Sequence, residues 1–304
     1  MIHGADLYQA WISQLKFLLE RPVVSPRNKT CRESIGLQLC IADARKNIIF
    51  DPVRQLNYRF LVAQWLTTQL GLEDKLLEKF NKHLADYETD GMGGVYPSYG
   101  PRLKPQWPFI MRCFQQDPQT RQAVMTLWEP VIVGPMGAAY YVPCTLSFQF
   151  LLRESLLYTV VNMRSSDAWL GIPYDVFNFT MLSNYLCGAL SQLFHRRVNL
   201  AGIMLNLGSS HLYEEHWKKA AAIVKEPAGS CGESPPLPPR FDIPAGLDVN
   251  LANPTANPEA SALATMPMPW KLYGWVLREK TNDAAMALLQ NLERYAREQG
   301  SILH

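Results

Sequence analysis

Between residues 143 and 175 the sequence reads PCTLSFQFLLRESLLYTVVNMRSSDAWLGIPYD, and three of its side chains could do chemistry together. Cys144 is a candidate nucleophile, because a thiolate attacks electrophilic carbon. Arg164, set among apolar residues, supplies a permanent cation that would favour thiolate over thiol. Asp175 closes a Gly-Pro turn and offers a carboxyl group. A thiol, a guanidinium and a carboxyl at the ends of neighbouring elements suit one anionic substrate. Each also has a plain structural reading: Cys144 as an inert core thiol, Arg164 as ion-pair partner of Asp167, and Asp175 as a helix cap. His211 and Tyr213, in Ser-His-Leu-Tyr, could both hydrogen-bond a sugar hydroxyl.

These residues need elements to position them. Residues 145–152 alternate, with Leu146, Phe148, Phe150 and Leu152 on one face, as a half-buried strand does. A second β-rich run covers 157–163, and Glu154-Ser155 suits a hairpin between them. Cys144 then sits at the mouth of one strand, and Arg164 leaves the end of the next. An amphipathic helix is expected over 5–20, a polar loop (SPRNKTCRES) over 25–34 and a strand over 35–42. Helices follow at 56–70 and 72–85, then a glycine-rich turn segment at 86–101, a helix from 108 to 117 and a strand at 122–128. An apolar helix is expected at 176–194 and a strand at 198–207, with GSSHLYEEH opening the next helix. The polar loop near Arg27 could offer cations and backbone N–H groups to phosphate oxygens.

The chain of 304 residues is long enough to bury a substantial core, and its 48% hydrophobic and 18% charged residues fit a globular enzyme. A net charge of +2 gives no broad basic field, so direct DNA binding is not expected. No apolar run is long enough to span a bilayer. Six cysteines without a CxxC pair, and an N-terminal stretch without an apolar leader, point to reduced thiols in the cytoplasm and to no metal site. Asn28-Lys-Thr and Asn178-Phe-Thr match the glycosylation pattern and read as chance. Residues 226–269 hold ten prolines and form an irregular insertion or linker. The expected division is a catalytic domain over 1–225, this insertion, and a C-terminal helical segment over 270–304 with helix at about 270–298.

Ordered motifs from residue 143 to 216 resemble the thymidylate synthase superfamily. They are Pro143-Cys144, Phe148-Gln149-Phe150, Arg164-Ser165-Ser166-Asp167, Leu170-Gly171-Ile172-Pro173 and the run GSSHLYEEH from Gly208 to His216. Upstream, Arg27 with Ser34-Ile35-Gly36 resembles the family's phosphate loop. Tyr99-Gly100 resembles another family element, and Asp117-Pro118-Gln119-Thr120-Arg121 resembles the segment that lends an arginine to the partner subunit. The similarity spans roughly 20–220. It implies an α/β (α+β) fold, a mixed twisted sheet with surrounding helices, in a symmetric homodimer.

The resemblance also implies roles. Cys144 would add to C6 of a pyrimidine nucleotide, making C5 nucleophilic toward the one-carbon unit of 5,10-methylenetetrahydrofolate. Arg27, Arg164, Ser165 and, across the dimer, Arg121 would hold the 5′-phosphate, while His211 and Tyr213 would hold the sugar. Asp167 and Gly171 would contact the folate. Tyr99 joins the catalytic set. Asp175 stands where thymidylate synthases carry asparagine, and the motif around it is closer to deoxycytidylate hydroxymethylases. A carboxyl accepts from the cytosine amine and, when protonated, donates to N3. Asn81 falls where synthases place a shielding tryptophan, which would leave room for water. Gln64 falls at the position of the family's pocket glutamate; it keeps the hydrogen-bonding shape without the ionisable proton. The expectation is a dCMP (or CMP) 5-hydroxymethylase. A methyltransferase making 5-methyl-dCMP or dTMP and a low-activity nucleotide-, folate- or RNA-binding homologue are its rivals.

Overall fold

The computed structural model describes residues 1–70, 99–128, 143–234 and 276–290, with Leu77, Phe80, Leu237 and Tyr273. The expected helix at 72–85, the glycine-rich segment up to residue 98, Asn81 and most of the Pro-rich stretch lie outside the described residues.

The chain opens with β1 (Ile2–Gly4) and α1 (Leu7–Leu19). Asp6 caps α1 by accepting the Gln9 N–H at 2.9 Å, which satisfies one of the helix's unpaired first-turn donors. Leu7, Ala10, Trp11, Leu15 and Leu18 form its buried stripe, as the 3.6-residue period requires. After β2 (Val23–Val24) and a short 3₁₀ turn (Pro26–Asn28) comes β3 (Cys31–Ile41), followed by β4 (Lys46–Phe50) and α2 (Tyr58–Leu70). Next are α3 (Tyr99–Leu103), α4 (Trp107–Gln116), β5 (Val124–Thr126), β6 (Thr145–Arg153), β7 (Leu156–Met163) and β8 (Ser166–Asp167). The chain continues through α5 (Ile172–Phe194), β9 (Asn199–Tyr213), α6 (Glu214–Lys225) and β10 (Ser230–Glu233).

The main sheet is mixed, in the order β1-β3-β9-β7-β6-β5, with β2 on β3 and β8 on β9. β7 and β8 run parallel to β9, whereas β3–β9, β6–β7 and β5–β6 are antiparallel. α5 is buried along most of its length, and its Val176, Phe177, Phe179 and Leu186 belong to the same core as Phe148, Phe150 and Val161 of the sheet. Burying an aliphatic or aromatic side chain of this kind contributes about 1.5–3 kcal/mol, so this sheet–helix contact is a substantial part of the apolar support beneath the sheet. On the sheet, Gln38 donates to Asn206, Asn206 to Asn162 and Asn162 to Ser147, at 2.9, 3.0 and 3.0 Å. This ladder of amides ties β3, β9, β7 and β6 in one register.

Four expectations need correction. β3 begins at Cys31, inside the stretch read as a polar loop, because Cys31 to Ile35 pair with Tyr213 to Ser209. β9 correspondingly continues to Tyr213, so His211 and Tyr213 stand on a strand and not at the opening of the next helix; α6 begins only at Glu214. α5 begins at Ile172, so Asp175 lies in its first turn instead of before it. Pro173 causes no conflict there, since the first helical turn has no use for its missing N–H. The strand expected over 122–128 shrinks to Val124–Thr126. β4 and β10, which pair with each other, had no counterpart in the sequence reading.

Candidate functional site

The β6–β7 hairpin brings Cys144 and Arg164 together. Its turn places Glu154 at φ 54°, and the ladder runs back to Thr145 opposite Met163. Just beyond that pair, the Arg164 N–H donates to the Cys144 carbonyl at 2.8 Å, and Arg164 Nε donates to the Pro143 carbonyl at 3.0 Å. Arg164 is thereby fixed to the backbone on either side of the thiol. A β-bulge between Thr145 and Ser147 breaks the strand's alternation next to Cys144, and Thr145 is fully buried. The Tyr99 hydroxyl donates to Thr145 Oγ1 at 3.1 Å and accepts the Thr145 N–H at 3.4 Å. Tyr99 thus holds the residue that follows the candidate nucleophile.

Parallel pairing of β7 with β9 puts Met163 opposite Leu207, so β9 passes beside Arg164. The Ser209 N–H donates to the Arg164 carbonyl at 3.0 Å. At Gly208 a Cβ would lie 2.8 Å from that carbonyl, so the close approach requires glycine. The burial alternation of β9 shifts across Gly208: Ile203, Leu205 and Leu207 are buried before it, Ser210 and Leu212 after it. Ser209, His211 and Tyr213 become the half-buried set. β8 pairs Asp167 with His211, and β3 pairs Glu33 with His211. The ends of β6, β7, β8 and β9 therefore meet in one place.

α1 holds the turn beyond β8. Trp11 Nε1 donates to the Ala168 carbonyl at 2.6 Å, and Gln14 Nε2 donates to Ser210 Oγ at 3.0 Å. Asp167 Oδ1 accepts the N–H groups of Trp169 and Leu170 at 2.7 and 2.9 Å, which shapes the turn into α5. Its Oδ2 is buried without a hydrogen-bond partner. Gly171 follows, where a Cβ would lie 3.0 Å from the Asp167 carbonyl and 3.1 Å from Asp175 Oδ2. One turn along α5, the Asn178 amide donates to Gln64 Oε1 at 3.0 Å and to the Tyr174 carbonyl at 2.8 Å, while Asn178 Oδ1 is buried without a partner. Asn178 is 5% exposed, so its glycosylation tripeptide is closed to modification.

The charges act on one another. Burial pushes the Cys144 thiol above its ordinary value; Arg164 pulls it back, Asp175 pushes it further up and Arg27 pulls it down. The Arg164 cation acts toward the thiolate, the direction expected of it, but desolvation outweighs it. The surrounding protein pushes the Asp175 carboxyl up to about 7, and the nearby charge of Asp167 adds to the rise. A helix N-terminus favours an ionised carboxylate, so the burial cost exceeds that benefit. Burial likewise holds the His211 imidazole below its ordinary value, against the pull of Asp167 and Glu33 and with the help of Arg27.

Cys144, Arg164, Asp167, Asp175 and His211 thus converge, and Ser165 lies between β7 and β8 beside them. Arg27 is exposed, in a left-handed turn at φ 52° followed by Asn28 at φ 60°, and its charge reaches both Cys144 and His211. Arg121 does not join them within one chain. It is exposed before β5, with its carbonyl accepting from Gln149 Nε2 at 2.9 Å. Gln149 is five residues along β6 from Cys144, about 16 Å at strand spacing. Glu33, Thr145, Asn178 and Ser209 were not singled out from sequence as site residues. For Glu33 the missing signal was the strand itself, since its neighbours are polar.

Among the described residues, no group of three or more His, Cys, Asp or Glu could hold a metal ion, and no helix is long and apolar enough to cross a membrane. Residues 94–233, a little under half the chain, match the family model of thymidylate synthase. That family consists of one-carbon transferases, which act at C5 of a nucleotide with methylenetetrahydrofolate as co-substrate. The mixed sheet with helices around it is consistent with the family's fold. The match takes in Cys144, Arg164, Asp175 and His211, while Arg27, Glu33 and Gln64 lie before it.

Proposed function

We propose that the protein is a folate-dependent pyrimidine nucleotide C5 hydroxymethylase acting on dCMP or CMP. The observation that carries this reading is the Asp175 carboxyl, near Cys144 and raised to about 7. At neutral pH such a group exists in both forms, so it can accept from the cytosine amine and donate to N3. In its ionised form the group only accepts, so it still pairs with the cytosine amine but leaves O4 of uracil without a donor.

Cys144 gives up its proton and Sγ forms the bond to C6 as the C5=C6 π bond breaks, its electron pair moving to C5; once C5 carries the new carbon, the C5 proton leaves to solvent, and Sγ is expelled when the ring double bond re-forms. Arg164 and Arg27 oppose the cost of developing the thiolate and, with Ser165, bind the 5′-phosphate, which brings a fixed negative charge beside two cations. His211 and Tyr213 take the sugar. Asp167 and Gly171 fit the folate on chemical grounds: Oδ2 of Asp167 is a buried acceptor with nothing to accept from, and Gly171 leaves space where a side chain would crowd Asp175. When bound, methylenetetrahydrofolate supplies the one-carbon unit, and water supplies the hydroxyl oxygen. Arg121 reaches the phosphate from the partner of a homodimer, in keeping with its distance from Cys144 in its own chain.

C5-tritiated dCMP tests the reading. Tritium release from dCMP that depends on methylenetetrahydrofolate is expected; release from dUMP with none from dCMP would overturn the base assignment. Methyl transfer is the second reading, and formation of dihydrofolate, followed by its absorbance, separates the two. Gln64 favours neither product by itself.

A further inference from the structure

Glu33, Ser209 and His211 form a short hydrogen-bonded series on the paired strands β3 and β9. Ser209 Oγ donates to Glu33 Oε1, and Ser209 Oγ lies 3.4 Å from His211 Nδ1. Glu33 and His211 are direct cross-strand partners, so the register itself keeps the three side chains together. The rings of His211 and Tyr213 lie edge to face with centroids 5.0 Å apart, which limits rotation of the imidazole.

The donor count fixes where the protons sit. A carboxylate has none to give, so the single hydroxyl proton of Ser209 goes to Glu33. Toward His211, Ser209 can then only accept, and the bond exists only if Nδ1 carries a proton. Burial favours the neutral ring, and a neutral ring with its proton on Nδ1 has a bare lone pair on Nε2.

We infer that Glu33, acting through Ser209, is a positioning residue that holds the His211 proton on Nδ1 and leaves Nε2 as an acceptor for a hydroxyl of the bound sugar. This rests on the nucleotide reading only for the identity of the hydroxyl. The ring presents an acceptor, so it selects a ligand with a donating sugar hydroxyl at that point. A ligand whose hydroxyl is methylated there would lose the bond.

Histidine-selective ¹⁵N labelling tests this directly, with the His211 signal assigned by a His211→Gln variant. In the unmodified protein, the neutral His211 ring is expected to carry its proton on Nδ1. In Glu33→Gln the new amide donates to Ser209, whose hydroxyl turns to His211, and the proton moves to Nε2. Ser209→Ala is expected to mix the two forms, and Ser209→Thr, which keeps the hydroxyl, to restore the first. Nucleotide KM should rise about tenfold in Glu33→Gln with kcat little changed, the worth of one hydrogen bond. A native ring protonated on Nε2, or a tautomer indifferent to both Glu33→Gln and Ser209→Ala, would overturn the inference. Loss of dCMP and CMP binding with the Nδ1 tautomer intact would instead count against the nucleotide reading.

Discussion

At the scale of single residues, Cys144 and Asp175 carry the chemistry, and both are set by burial. The Cys144 thiol is raised, so its alkylation by iodoacetamide should be slower than that of an exposed cysteine and should accelerate as pH rises. Replacing Arg164 with Gln removes the largest opposing charge and should slow alkylation further. Mass spectrometry of the labelled peptide reads both rates, and fast labelling at neutral pH would contradict the account. Asp175 has the sharper consequence. Its carboxyl stands near 7 in the folded protein against about 3.8 when unfolded, so the folded state holds the extra proton between those values. Stability should therefore fall as pH rises from about 4 to about 7, and Asp175→Asn should flatten that slope in a denaturation series. The same variant should reverse the base preference toward dUMP. One mispaired buried group costs about 1–3 kcal/mol, a factor of about 5–150 in the ratio of kcat/KM values.

Elements explain why these residues meet. The hairpin of β6 and β7 and the alternation over 145–152 were legible in the sequence, because a period of two and a two-residue turn are strong local signals. That legibility placed Cys144 beside Arg164. The outer halves of β3 and β9 were hidden, since Arg32, Glu33 and Ser34 and then Ser209, Ser210 and His211 break the apolar pattern. Their pairing is decided across the sheet and not along the chain. For the same reason Glu33 escaped notice while His211, part of a motif, did not. The position of Asn178 against Gln64 depends on how α5 packs on α2, which no local pattern encodes. Tyr99 supports the bulge after Cys144 through two hydrogen bonds to Thr145. Tyr99→Phe should lower kcat about fivefold while moving the nucleotide KM little, as expected for about 1 kcal/mol of lost positioning. Steady-state kinetics separates this from loss of nucleotide binding, which would raise KM instead.

At the scale of the molecule, the proposed site draws on residues from Arg27 to His211 and on Arg121 of a second copy. Mixing inactive Cys144→Ala protein with inactive Arg121→Ala protein should restore turnover, because a hybrid dimer holds one site with an intact thiol and an intact partner arginine. No recovery after subunit exchange would show that Arg121 acts within its own chain. The central claim is the reaction itself, and mass analysis of the nucleotide product tests it most directly. With dCMP, dUMP and CMP offered separately alongside methylenetetrahydrofolate, a cytosine nucleotide should gain a hydroxymethyl group without formation of dihydrofolate. A methylated product with dihydrofolate, or turnover of dUMP alone, would contradict it.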